Sequence, residues 1–207
     1  MRGGIPAAQC AMLSGMALAI PLSGWHAYYP PNTWLQVVPV GFAIVAAIPI
    51  LRRWPISNAA MACITAFMIL HMFAAHWEYS YVPYRAWLTN GLGFDLDKTF
   101  GFRRDMFDRL VHFLFGVLMV RPLSEISIRH GRTSRNWGLF VALLFVFGVS
   151  SLYEIFEWTL TIALSPNDAG AYNGEQGDAF DSQKDMACAA VGAAISAAWL
   201  ALRKNPR

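Results

Sequence analysis

The sequence predicts an all-α, polytopic membrane helix bundle of about six transmembrane helices. Of its 207 residues 56% are hydrophobic and only 14% charged, against about 25% charged in an ordinary soluble domain. Apolar runs near the roughly 20 residues needed to cross a hydrocarbon core recur six times. Most arginines gather in alternate connections between those runs, as topogenic charges do, while Arg85, Lys98, Arg103 and Arg104 share the segment 77–105 with Glu78, Asp95, Asp97 and Asp105.

Composition also narrows the function. A formal net charge of +3 is no nucleic-acid signature here, because the basic residues lie beside apolar runs. Mean hydropathy is +0.39, and the runs leave no room for a separate soluble domain, so 1–207 reads as one integral membrane unit. Cys10, Cys63 and Cys188 are isolated in sequence. They read as small apolar residues, with neither a disulfide framework nor a thiolate metal site.

The expected spans are 8–26, 34–51, 57–76, 106–122, 137–160 and 185–202. The first follows a single arginine and contains "ALA" at 17–19, a loose likeness to a cleavable leader. Its apolar run continues through Pro21, and removal would leave an odd number of spans, so it is read as retained. Arg52 and Arg53 follow the second span. Pro122 is expected to end the fourth, because proline interrupts the helical hydrogen-bond ladder. Arg121 stands at the end of span four, Arg129, Arg132 and Arg135 lie between spans four and five, and Arg203, Lys204 and Arg207 close the chain. The connection between five and six is acidic, with Asp168, Glu175, Asp178 and Asp181 against Lys184. The positive-inside rule then places both termini in the cytoplasm. Alternation puts the mixed segment 77–105 on the outer side, with Trp25, Tyr28, Tyr29, Trp34, Trp77, Tyr79, Tyr81, Tyr84 and Trp87 as interfacial anchors.

Acidic groups within or against such spans are the main functional signal, since each costs roughly 2.5–3.5 kcal/mol near a bilayer centre on insertion scales. Asp105, Asp108 and His112 fall at i, i+3 and i+7, one helical stripe. Glu154 and Glu157 share a face of span five, with Ser150 one turn earlier. Asp178, Asp181 and Asp185 repeat the i, i+3, i+7 spacing at the start of span six, after the turn-rich "NGEQGD". The topology brings all three blocks into the same outer leaflet.

Several carboxylates with an imidazole suit a hard divalent cation, Mg²⁺, Mn²⁺ or Ca²⁺, or Zn²⁺ where His112 ligates. Asp108, His112, Glu154 and Asp185 are the candidate ligands. Those four with Glu157 are the candidate catalytic residues, Glu154 or His112 acting as general base. The plain alternative is an ion-pair network in which Arg103, Arg104, Arg109 and Lys184 neutralise the acids while Asp105, Asp178 and Asp181 are solvated. His71 and His76 stand about 140° apart around a helix and do not make a joint metal site, whereas His76 and Glu78 are placed to border the same pocket.

"HMFAAHWEYSYVP", "RDMFDRLVHF", "YEIFEW" and "GEQGDAFDSQKDM" together resemble the YjdF-like family of bacterial inner-membrane proteins, a domain of unknown function, over about residues 34–203. The C-terminal half is more distantly similar to the VanZ-like superfamily, with "DRLVHF" at Asp108–Phe113, "YE" at Tyr153–Glu154 and Asp185 before "ACAAVGAA". Arg109 stands where that pattern usually has lysine, and Glu157 where it often has glutamine or a similar polar group. The resemblance implies a compact helical core with a polar patch in the bacterial inner membrane. It implies no reaction, because fold does not carry function.

Two functional readings follow. One is a metal-assisted enzyme acting on a lipid or polyprenyl phosphate headgroup. The other is a non-catalytic protein that binds a headgroup or cation, or holds its cluster as an ion-pair network. Transport is least supported, because a conduction path needs polar stations through the whole depth. Membrane lipids are the expected partners, nucleic acid is not, and no oligomeric state follows from the sequence.

Overall fold

A computed structural model describes residues 4–102, 104–163 and 176–203. The described residues form helices only: α1 (Ala7–Gly24), α2 (Pro30–Arg53), α3 (Asn58–His76), α4 (Tyr84–Leu92), α5 (Leu96–Phe100), α6 (Phe107–Arg129), α7 (Arg135–Ala163) and α8 (Asp181–Leu202). Six of them, all but α4 and α5, are long and apolar enough to span a membrane. They are carried by unbroken apolar runs rather than by amphipathic stripes, as expected when lipid replaces water on the outer face. Phe42 and Val45 on α2, and Leu144, Phe145 and Phe147 on α7, stand exposed on that face.

Local signals set most of the boundaries. Pro30 and Pro31 open α2, where a missing N–H costs nothing. Ser57 caps α3 by accepting from the Ala60 amide at 3.1 Å. Glu125 holds that cap from α6, accepting from the Ser57 amide at 2.5 Å and hydroxyl at 2.6 Å. Contrary to the expected stop, α6 runs through Pro122 to Arg129. Pro122 is fully buried, and the turns beyond it carry the buried Ser124 and the Glu125 bond to α3. Those contacts hold the helix together across one lost backbone bond. Within residues 77–102, α4 and α5 end on Gly93 and Gly101 at φ of 65° and 69°, values that suit glycine.

The spans run up and down. One end gathers Arg53, Arg129, Arg135 and Arg203, with Arg135 bonding the carbonyls of Leu200 and Arg203 and His130 bonding that of Pro55. The other end gathers the Tyr28 amide on the His76 carbonyl at 2.9 Å, α4, α5 and the starts of α6 and α8. These are called the basic and acidic ends below.

Two apolar cores lie side by side. Leu13, Val37, Met61, Met72 and Val111 fill the one among α1, α2, α3 and α6. Met119, Val146, Ala189 and Ala193 fill the one among α6, α7 and α8, and Ile64 and Phe67 of α3 join the two. Helices α6 and α8 make the most intimate pair. A Cβ on Gly116 would stand 2.0 Å from the Ala189 carbonyl oxygen, and one on Gly192 would stand 2.1 Å from that of Phe113. Small residues that let backbones meet are the usual driving contact between helices in lipid.

Candidate functional site

The α6–α8 crossing positions the site. Asp108 and His112 lie two turns and one turn ahead of Gly116 on one face of α6, and Asp185 lies one turn ahead of Ala189 on α8. Closing the backbones at Gly116 and Gly192 therefore sets those side chains against one another at the acidic end. Glu154 reaches them from α7, which is tied to α8 where the Ser151 hydroxyl donates to Met186 Sδ at 3.3 Å.

The polar groups divide into two layers. The outer layer is an ion-pair network. Arg109 donates through Nη2 to Asp178 (2.6 Å) and Asp181 (3.1 Å), Arg104 forks onto both oxygens of Asp181, and Lys184 grips Asp178 at 2.6 Å. Lys184 and Arg109 hold the Asp178 carboxyl well below the usual carboxylate range. Asp105 precedes α6, accepting from the Phe107 amide at 2.9 Å, while its own amide donates to Gln176 at 2.8 Å. Burial pushes Asp105 up to about 6, opposed by the Phe107 amide and by Arg85.

The inner layer is Asp108, His112, Asp185 and Glu154, each 9% exposed or less. His112 Nε2 stands 3.6 Å from Asp108 Oδ1 and 3.6 Å from Glu154 Oε1. Asp108, His112 and Asp185 each offer an atom within 4.8 Å of the other two, a spacing that suits one metal ion. The nearest cationic atom to Asp185 is Arg109 Nε at 3.8 Å. Glu154 Oε1 and Asp185 Oδ1 are enclosed and receive no hydrogen bond among the described residues. Buried carboxylate oxygens without donors are expensive, so this layer suits a cation or shared protons.

The sequence blocks therefore meet, with different memberships. Asp105 leaves the Asp108–His112 stripe because α6 begins after it. Asp181, expected to be wet in the plain reading, is buried under two arginines. Glu157 is half-buried beside Tyr153, Glu154 and Asp185 and is not one of the three residues at metal spacing. Arg103, Asp168, Glu175, Lys204 and Arg207 lie outside the described residues.

A second polar group was not visible as a unit in the sequence. After α3 the chain reverses through Glu78 and Tyr79, both at positive φ (50° and 57°), a strained pair for residues with side chains. The reversal buries Glu78 against Asn32 and Thr33 of α2. It also delivers the Tyr79 hydroxyl to His71 Nδ1, whose other nitrogen faces the Gln36 carbonyl at 3.2 Å. Tyr79 is thus a core residue instead of an interfacial anchor, while Trp25, Tyr28, Tyr81 and Trp87 are exposed. His76 turns to the Ser23 carbonyl at 2.9 Å and does not join Glu78. The positive-φ reversal was the missing signal, because neither Glu78 nor Tyr79 belongs to a residue type that announces one.

Burial pushes the Glu78 carboxyl up to about 7. Its neutral form is favoured in the folded state, so its share of stability is full below about pH 4.5 and is lost as the pH rises through about 7. Glu78→Gln is expected to flatten the fall in thermal stability over that window and to melt higher than the parent at pH 8. Identical pH profiles for the two proteins would show that Glu78 is solvated.

The chain matches the family described as predicted membrane protein (DUF2238) over residues 8–206. It belongs to that family. Inner membrane protein YjdF of Escherichia coli (strain K12) is 29% identical over 171 residues, covering 82% of this chain and 78% of that protein. No solved structure matches. Family membership agrees with the helical membrane architecture and assigns no chemistry, so the DUF2238 site has to be read from its own geometry.

Proposed function

We propose that this protein binds a divalent cation in the inner layer and uses it to hold the phosphate headgroup of a membrane lipid. Asp108, His112 and Asp185 supply the ligands, and Glu154 stands beside them. The observation that carries the reading is the pair of enclosed oxygens that accept no hydrogen bond among the described residues, Glu154 Oε1 and Asp185 Oδ1, in a layer where Arg109 turns its Nη2 to Asp178 and Asp181 and comes no nearer to Asp185 than Nε at 3.8 Å. A Mg²⁺, Mn²⁺ or Zn²⁺ ion there would offset the mutual repulsion of the carboxylates and polarise a phosphate oxygen. Glu154, 3.6 Å from His112, is the group placed to take a proton from an attacking water.

The distribution of charge supports a compartment. Arg52, Arg53, Arg129, Arg132, Arg135 and Arg203 gather at the end opposite the acids, which supports cytoplasmic termini and a cluster on the periplasmic side of the bacterial inner membrane. The inner membrane placement draws on the relative's name and on the six apolar helices.

Elemental analysis of the detergent-purified protein after equilibration with Mg²⁺, Mn²⁺ or Zn²⁺ tests the reading. Near-stoichiometric metal is expected in the parent, with at least about a tenfold loss of affinity in folded Asp108→Asn and Asp185→Asn. A parent that retains no metal removes the cation site. Release of phosphate from a lipid phosphate by the loaded parent, absent in Glu154→Gln, identifies an enzyme, and headgroup binding without release identifies the non-catalytic alternative.

A further inference from the structure

His112 of the inner layer lines a cavity of about 400 Å³. Its polar wall is His112, Ser150 and Tyr153 on one side and Gln36, His71 and Tyr79 on the other. Val40, Ala43 and Met68 also line a second, adjoining hollow of about 760 Å³, which reaches Ser127 and His130 near the basic end. Together they make one groove, flanked by α2 and α7 and floored by α3 and α6. Leu35, Phe145 and Phe156 line it and are also exposed on the outer surface, so the groove is open sideways to the bilayer.

Its length and its polarity are both informative. His112 and Ser127 lie on α6 about 22 Å apart along the axis at 1.5 Å per residue. That is longer than the roughly 15 Å hydrocarbon depth of one leaflet, half of a core of about 30 Å. The deep part is almost wholly apolar. Gln36 Oε1 and Ser150 Oγ, both enclosed and without hydrogen-bond partners among the described residues, sit in the shallow part beside His112. A ligand matched to this groove has a polar head, hydrogen-bonding groups just behind it, and a single chain that continues past the bilayer midplane.

We propose that the groove receives the isoprenoid chain of a polyprenyl phosphate, which enters from the bilayer between α2 and α7 and brings its phosphate to the inner layer at His112, the member of that layer that lines the groove. This rests on the headgroup reading given above and adds the substrate class. Diacyl lipids carry two chains that end within their own leaflet, and they match the groove less well.

The test uses the full-length protein in phosphatidylethanolamine–phosphatidylglycerol vesicles, with a trace of a long-chain polyprenyl phosphate bearing a mid-chain photoreactive group. Crosslinks are expected at the α2–α3 lining around Val40, Ala43 and Met68. Ala43→Trp, which fills the junction of the two hollows, is expected to cut them by about tenfold or more. Val45→Trp, on the exposed face of α2 outside the groove, serves as the control and should leave them intact. Met68→Trp repeats the block from α3 should Ala43→Trp fail to fold. Labelling spread evenly over the lipid-facing surface, or unchanged in Ala43→Trp, overturns the proposal, as does equal groove labelling by a phosphatidic acid probe. Metal content separates the two readings. A metal-free parent with groove labelling that Ala43→Trp abolishes would remove the cation site and leave the chain site, whereas stoichiometric metal with diffuse labelling would remove the chain site alone.

Discussion

Gly116→Leu is expected to abolish recovery of folded protein. A Cβ at this position would stand 2.0 Å from the Ala189 carbonyl oxygen and 2.7 Å from the Ala193 amide nitrogen. The obstacle is backbone, so no rotamer change relieves it. Helix α8 must move away from α6, emptying the contacts of Val120, Ala189 and Ala193 and drawing Asp185 out of reach of Asp108. Overpacking alone costs about 1–3 kcal/mol, and losing the pair that organises the second core adds to it. Gly148→Leu on α7 is the matched control, since a Cβ there meets nothing within 4 Å. Size-exclusion profiles and thermal melts of the two variants check the expectation. Equal recovery of both would mean that α6 and α8 do not pack as closely as described.

Asp181→Asn carries the second large effect, and it falls on stability rather than on ligand binding. Asp181 is buried and accepts from both Arg104 and Arg109. Removing one partner from a buried ion pair costs about 3–5 kcal/mol, because the remaining charges stay desolvated. Here two guanidinium groups are left with Asp178, which Lys184 already occupies. A large drop in melting temperature is expected with any bound metal retained by the folded fraction. Asp185→Asn should do the reverse, losing metal at little cost in melting temperature, since Asp185 Oδ1 receives no hydrogen bond among the described residues. The same loss in both variants would merge the two layers into one structural network.

Charge spacing in the sequence anticipated where the acids collect, and it did not anticipate their division of labour. Asp178, Asp181 and Asp185 look equivalent as an i, i+3, i+7 series. In the fold the first two face Arg109 and Arg104, and the third faces Asp108 and His112. The difference comes from the register of α8 on α6, which Gly116 and Gly192 set through contacts between residues far apart in the chain. The Glu78–Tyr79 reversal is a similar case. It places Tyr79 on His71 and Glu78 on Thr33 through a backbone conformation that neither residue type favours, so no local pattern signals it. Pro122 misled in the opposite sense, because a local breaking tendency was outweighed by the burial of Ser124 and the Glu125 bond to Ser57.

The sequence by itself determined the membrane class, the helical content, the six long apolar helices and the convergence of acidic blocks on one end, since these depend on run length and on charge placed between runs. Only the tertiary structure decided which carboxylates are gripped by arginine and which lie closest to His112 and each other, and that an apolar cavity reaches His112. Those properties depend on interhelical register and on which faces α2 and α7 turn to one another, and both are set by close packing between segments distant in sequence.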